Sequence, residues 1–248
     1  MFATIKYRSK TFRIDLSNPI DISIPLRGDG HGINAWYLDP PTMVPHRAGD
    51  FVGSVLNGAP VNFNDISFNP HAHVTHTECL GHITSETHSI NASLKRYFFL
   101  AELITVAPEK KGNDFIISQK QLQYGLGQKK REAVVIRTLP NTNEKMMKSY
   151  SHANPPYFTE TAMKFLKQKG IKHLLVDLPS VDKEKDDGKL LAHKAFWDIH
   201  GDMRHDATIT EFIFVNNAVV DGTYVLNLQV APFENDASPS RPILYKIH

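Results

Sequence analysis

Two stretches at the start of the chain, Phe2-Ala-Thr-Ile-Lys-Tyr7 and Thr11-Phe-Arg-Ile-Asp-Leu16, alternate apolar and polar residues around the polar turn Arg8-Ser-Lys10. A period of two turns one face of an extended chain to a core and the other to water, so the pattern predicts a hairpin. Ile20 to Leu26, Val52 to Leu56 and Val61 to Phe68 read as further strands, as do the Ile- and Val-rich stretches Ala101 to Val106 and Glu132 to Arg137. The period changes at Thr159 to Lys169, where Ala162, Phe165 and Leu166 share a helical face. Thr159 can cap that helix, Glu160 suits its positive end, and Gly170 supplies a left-handed stop. Ile171 to Asp177 then runs apolar and is bounded by Pro179, which predicts a buried strand and a β-α-β crossover. Leu190 to Trp197 reads as a short helix, and strands are expected near Thr210 to Val215, Thr223 to Val230 and Pro242 to Ile247. Residues 27 to 50, with Gly28, Gly30, Gly32, Pro40 and Pro41 around Trp36 and Tyr37, read as a long irregular loop. The charged run Asp182 to Lys189 reads as a solvated loop. The expected class is a strand-rich α/β mixed sheet with few helices.

Composition narrows the partners. The 248 residues are 41% hydrophobic and 22% charged, which suits a single domain spanning 1–248 with a sizeable core. Lys plus Arg number 28 against 26 Asp plus Glu, and the basic residues form no stripe along the sequence, so no nucleic-acid partner is expected. No apolar run approaches the roughly 20 residues of a membrane span, and the alternating N-terminus lacks the continuous apolar stretch of a leader. Neither membrane nor export is therefore expected. A single cysteine, Cys79, excludes an internal disulfide framework, which leaves the cytoplasm as the expected compartment.

Candidate chemistry lies in the histidines. Of 13, five fall in residues 71–88 (His71, His73, His76, His82, His88) and three in residues 193–205 (His193, His200, His205). Any one alone reads as a surface histidine. Four imidazoles with Glu78 among them between His71 and His82 point instead to a metal, because neutral imidazole and carboxylate suit Zn, Mn or Fe. On an extended chain His76, Glu78 and His82 project to one side, while His71 and His73 fall on the other. His193 on the short helix and Glu211 on a strand can complete such a site, a second ion roughly 3.5–4 Å from the first sharing a carboxylate. His200 and His205 read as loop residues. Cys79 reads as a packing thiol rather than a nucleophile. Gly28-Asp-Gly-His-Gly32 does not fit a dinucleotide fingerprint, since Ile33 stands where the third glycine should be and no helix follows. The chain has no G-x-S-x-G elbow, and Asn91-Ala-Ser93 without a leader is a chance glycosylation match.

Thr75-His-Thr-Glu-Cys-Leu-Gly-His82 resembles the H-x-G-T-H-x-D-x-P-x-H hallmark of the metal-dependent cyclase-like hydrolases, which include bacterial kynurenine formamidase and isatin hydrolase. Asp15-Leu-Ser-Asn-Pro-Ile20 resembles their D-L-S-x-P-I, Val176-Asp-Leu-Pro-Ser-Val-Asp182 their I-D-x-x-S-x-D strand, and Asp236-Ala-Ser-Pro-Ser-Arg-Pro242 their D-x-S-P-x-R ending. Strict register puts Ala72 at the first ligand position, Val74 for Gly, Glu78 for Asp and Leu80 for Pro. A bulge after Pro70 would bring His71 into place more easily than the shortened spacing needed for His73.

The resemblance implies a swivelling β/β/α fold, with a homodimer or higher homo-oligomer as the assembly. It also implies His71 (or His73), His76 and Glu78 on a first ion, with Glu78 bridging to a second held by His193 and Glu211, the ions being Zn or Mn. His82 matches the catalytic proton carrier. The implied activity is hydrolysis of an amide, formamide or lactam C–N bond in a small molecule, with Trp36, Tyr37 and Phe51 as candidate walls for a planar substrate. The rival is a non-catalytic metal- or ligand-binding protein on the same fold.

Overall fold

The computed structural model describes residues 1–248. Its centre is a nine-stranded mixed sheet built from β1 (Ile20–Asp21), β2 (His76–Glu78), β3 (Phe98–Val106), β4 (Ala133–Thr138), β5 (His173–Val176), β6 (Thr208–Glu211), β7 (Gly222–Asn227), β8 (Ala237–Pro239) and β9 (Ile243–Lys246). Across the sheet the order is β8-β2-β6-β5-β4-β3-β7-β9-β1. The middle block β6-β5-β4-β3 is parallel, and the strands on both flanks are antiparallel. The five helices are α1 (Pro70–His73), α2 (Ile90–Ser93), α3 (Gln119–Leu126), α4 (Glu160–Gln168) and α5 (Leu191–Trp197). This is the strand-rich α/β class with few helices that the sequence pattern predicts.

The parallel strands are apolar in both phases because both faces are covered. On β4, Val134 and Ile136 pack with Leu122, Leu166 and Trp197 of the long helices, while Ala133 and Val135 pack with Ala101, Leu226 and Leu244 on the opposite face. The predicted crossover is present: the Thr159 hydroxyl accepts from the Ala162 N–H, α4 ends before Gly170 in the left-handed region, and β5 follows. α3 escapes the apolar pattern because only Leu122 and Leu126 are buried, yet Ser118 and Gln121 cap it reciprocally. Gly125 lets that helix approach β3, since a Cβ there would lie 3.0 Å from the Ile104 side chain.

Several expectations shift. Only Ile20–Asp21 of the expected strand 20–26 joins a ladder. Residues 27–50 are not all loop: Thr42–Pro45 pairs with Asn64–Ser67, and Arg47–Ala48 with Phe51–Val52. The expected strand Val52 to Leu56 ends in a 3-10 turn at Val55–Asn57. Residues 64–67 are exposed throughout, so their alternation packs against no core in this chain.

Candidate metal centre

β2 lies between β6 and β8 and is wholly buried. Its register sets Glu211 opposite His76 and Ile209 opposite Glu78. Side chains two apart share a face, so His76, Glu78 and Glu211 project together, while Thr77 and Thr210 meet on the reverse face at 2.8 Å. Cys79 also points to the reverse side, where its thiol donates to the His88 carbonyl. α5 closes the first face. Asp182 accepts from the Ala192 and His193 N–H groups at its start, and Asp182 Oδ2 lies 2.6 Å from His193 Nδ1. The other ring nitrogen, Nε2, therefore sits 3.0 Å from Glu78 Oε1. Asp182, expected in a solvated loop, is buried because it holds this ring and the helix start together.

His71 reaches the cluster by a helical turn rather than the expected bulge. Asn69 caps α1 by accepting from the His71 N–H, and Pro70 stands at the first helical position, where its missing N–H is harmless. Trp36 Nε1 donates to the His71 carbonyl, so Trp36 anchors this turn. His71 Nδ1 is 3.2 Å from Glu78 Oε2, and Nε2 is 2.9 Å from Asp236 Oδ2. His73, two residues on, is buried elsewhere on the turn and accepts from the Asn69 N–H. The structure does not bring it to the cluster. His82 arrives from the 3-10 turn Leu80–Ile83, not by strand alternation, with Nδ1 3.2 Å from Asp236 Oδ2 and Nε2 3.8 Å from Glu78 Oε2. Glu211 neighbours His76 rather than His193: its Oε2 is 3.4 Å from His76 Nε2, and its Oε1 accepts from the Val181 N–H.

The electrostatics follow from four carboxylates facing four imidazoles. Burial works against a charged His71, yet hydrogen bonds with Asp236 and Glu78 lift it to about 10. Burial likewise opposes charge on His193, and Asp182 and Glu78 raise it to about 10. Burial pushes His76 down to about 3, helped by the charge on His71. Burial also opposes ionisation of Glu78, but His82, His193 and His71 hold it well below the carboxylate range. Glu211 is pushed up by burial and by the Glu78 charge. Protons on His71, His193 and Glu211 thus offset buried negative charge in the ion-free protein.

The donor set fits a divalent cation. His76 donates through Nδ1 to the Val74 carbonyl, which aims the bare Nε2 into the cluster, where this buried atom makes no hydrogen bond and Glu211 Oε2 lies 3.4 Å away. An unpartnered buried imidazole nitrogen beside the Glu78 carboxylate is a donor set of the kind that a divalent cation takes. One ligand atom each from His71, His76 and Glu78 lies within 4.8 Å of the others, and the same holds for Glu78, His82 and His193, and for His71, His82 and Asp236. Asp182 and Asp236 are members that chemistry read from spacing missed, although each sits in a motif segment quoted above. A cleft of about 810 Å³ opens at the ends of β3, β4 and β5, lined by Leu139, Lys145, Tyr150 and Asp177 and by no side chain of the cluster. Phe212 stands between, its ring 5.4 Å from Tyr150 and 6.0 Å from His76.

Known proteins resemble this chain over most of its length. The chain is 28% identical over 235 residues to a kynurenine formamidase of Bacillus mycoides (strain KBAB4), covering 92% of this chain and 97% of that protein. Among solved structures, isatin hydrolase A from Labrenzia aggregata superposes with a TM-score of 0.65 at 16% identity, over 93% of this chain and 94% of that one. A predicted metal-dependent hydrolase from Bacillus stearothermophilus superposes with a TM-score of 0.64 at 16% identity, over 92% and 98%. Residues 14–183, well over half of the chain, match the Cyclase family, described as "Putative cyclase". The chain belongs to the Cyclase family.

Proposed function

We propose that this protein is a metal-dependent hydrolase that cleaves an amide, formamide or lactam C–N bond of a small molecule. The observation carrying this reading is the convergence of His71, His76, Glu78 and His193, with the unpartnered His76 Nε2 among them, beside a histidine open to solvent. The similarity to a kynurenine formamidase supports a formamide or related amide as the substrate class. His71, His76 and Glu78 would hold one zinc or manganese ion, and Glu78, His193 and Glu211 a second. A bound divalent ion lowers the pKa of water and polarises a carbonyl.

The chain's own residues do the rest. Glu78, fixed from one side by His193 and from the other by His71, presents a permanent negative charge to the cation. Asp182 keeps the His193 ring turned toward Glu78. The His82 side chain is 31% exposed, the most open of the four imidazoles, so substrate approaches from its side. Its Nε2 takes a proton from the attacking water and returns it to the leaving nitrogen. Glu78 in place of the family's Asp is one methylene longer, and His71 on its helical turn meets that longer carboxylate where the residue at the strict position, Ala72, points into the core.

The whole chain acts as one domain, since the site gathers residues from 71 to 236. No helix is long and apolar enough to cross a membrane. We read the protein as cytoplasmic, with a small-molecule substrate and no nucleic-acid partner. We also read it as a homodimer or higher homo-oligomer, because the ribbon of Thr42–Pro45 and Asn64–Ser67 exposes Val44 and Ile66 beside Phe63. Elemental analysis paired with a panel of formamides, lactams and lactones, with metal and with chelator, tests the activity. Metal uptake with chelator-sensitive turnover is expected. Stoichiometric metal without turnover of any member would leave the non-catalytic binding protein.

A further inference from the structure

We infer that Asp236 is a positioning residue that fixes the ring state of His82 and braces His71 against it. The inference rests on the hydrolase reading for its kinetic consequence only. One oxygen, Asp236 Oδ2, lies 2.9 Å from His71 Nε2 and 3.2 Å from His82 Nδ1. The two rings are stacked, with centroids 4.3 Å apart and planes 27° from parallel, so a single carboxylate oxygen at their common edge receives an N–H from each. A carboxylate only accepts, and both nitrogens that face it must therefore carry hydrogen. That leaves His82 Nε2 as the nitrogen free to take a proton, and it is the one turned toward Glu78. Free imidazole favours the opposite neutral form, with hydrogen on Nε2. Asp236 thus selects the form that can act as a base on the side where the ions would sit.

The carboxylate is placed rigidly enough for this task. The Asp236 carbonyl accepts from the Cys79 N–H at 3.0 Å, the Asn235 carbonyl accepts from the Ile90 N–H at 2.8 Å, and Ala237 pairs with Glu78 at the start of β8. Main-chain bonds on either side thus fix Asp236 between the start of α2 and the strand that carries His76 and Glu78. Supporting carboxylates of this kind orient ligand and proton-carrying imidazoles alike.

Nitrogen-15 spectra of the histidine rings in the purified protein, with His82 assigned through His82→Ala, read the ring state without any substrate. We expect His82 to carry hydrogen on Nδ1 in the wild type and to shift toward the Nε2–H form in Asp236→Ala. Zinc affinity and kcat should each fall about 10–100-fold in that variant, with KM little changed. A wild-type His82 ring with hydrogen on Nε2 would overturn the inference whether or not the variant folds. So would an Asp236→Ala protein whose ring state or kcat matches the wild type. Should the wild type turn over no formamide or lactam, the hydrolase reading fails, while the ring spectra and zinc affinity still decide the role of Asp236.

Discussion

His173 on β5 and His193 on α5 are almost equally buried, at 3% and 2% exposed, yet their rings sit in opposite chemical states. His173 lies against Phe99, with ring centroids 4.0 Å apart, and its Nδ1 meets the Thr208 hydroxyl. No carboxylate contacts it, and burial pushes it down to about 3. His193 is held between Asp182 and Glu78 and is lifted to about 10 against the same burial. Burial therefore makes an imidazole neutral and inert by default, and buried carboxylates convert it into a cation or a ligand. The candidate metal centre is the place where the fold gathers three buried carboxylates and the half-buried Asp236 around the imidazoles, whereas the β5 histidine is part of the core.

Removing the carboxylate at the centre breaks this contrast most sharply. Glu78→Ala takes away the partner of His71, His82 and His193 at once. Metal affinity, measured by competition with a chelator, should drop by more than the about 10–100-fold typical of a supporting residue, and turnover should vanish with it. Retained stoichiometric metal would show that the imidazoles alone make the site. His82→Ala should behave differently: kcat falls about 10²–10⁴-fold while metal content stays. Loss of metal would make His82 a ligand instead.

The next contrast is within α1. His71→Ala removes a ring that touches Glu78 and Asp236, whereas His73→Ala removes one bonded only to the Asn69 N–H. Metal affinity should fall severely for the first and stay near wild type for the second, which should instead lose thermal stability. The reverse pattern would place His73 in the site.

These two residues also show what the sequence could and could not reveal. Alternation is a property of strands, so it locates His76 and Glu78 on one face and groups Glu211 with them once β2 and β6 are paired. The pairing itself joins residues more than 130 positions apart and leaves no local mark. His71 lies on a turn whose direction depends on Asn69, Pro70 and Trp36, and strand alternation misdirects it; alternation groups His82 correctly with Glu78, but His82 arrives there from a 3-10 turn. The fold's parallel block was legible because burial on two faces makes continuous apolar runs. Of the β-ribbon, Asn64–Ser67 reads as strand, whereas Thr42–Pro45 reads as loop because it lies among glycines and prolines and no core imposes a pattern on it. Asp182 looked like the start of a solvated run because its sequence neighbours are charged, and only packing against α5 distinguishes it from them.

Metal binding should sharpen the comparison through pH. His71 and His193 are ordinarily near 6.5 and are lifted to about 10 in the ion-free protein, so a cation must displace their protons. Zinc affinity should therefore rise with pH across the window from 6.5 toward 10, read by titration at several buffer values. An affinity independent of pH in that window would mean that these rings are already neutral.

The smallest expected effect belongs to the inert partner of the comparison. His173 is ordinarily near 6.5 when unfolded and is held near 3 when folded, because its ring sits among apolar neighbours without a carboxylate. A folded value below the unfolded one means that the unfolded chain binds the proton first as pH falls. The stabilisation from keeping this ring neutral is thus fully present above 6.5 and is lost as pH drops toward 3. His173→Gln keeps a partner for Thr208 but does not titrate. At neutral pH it should be less stable than wild type by about 1 kcal/mol through altered packing against Phe99. Because the variant lacks the titrating ring, the gap between the two proteins should close and then reverse on acidification, and it can be followed by denaturant unfolding from neutral pH downward. His76, also pushed to about 3, is common to both proteins and cancels in the difference. A gap that stays constant would mean that His173 takes up its proton in the folded state as readily as in the unfolded chain, and that burial alone does not set an imidazole's charge here.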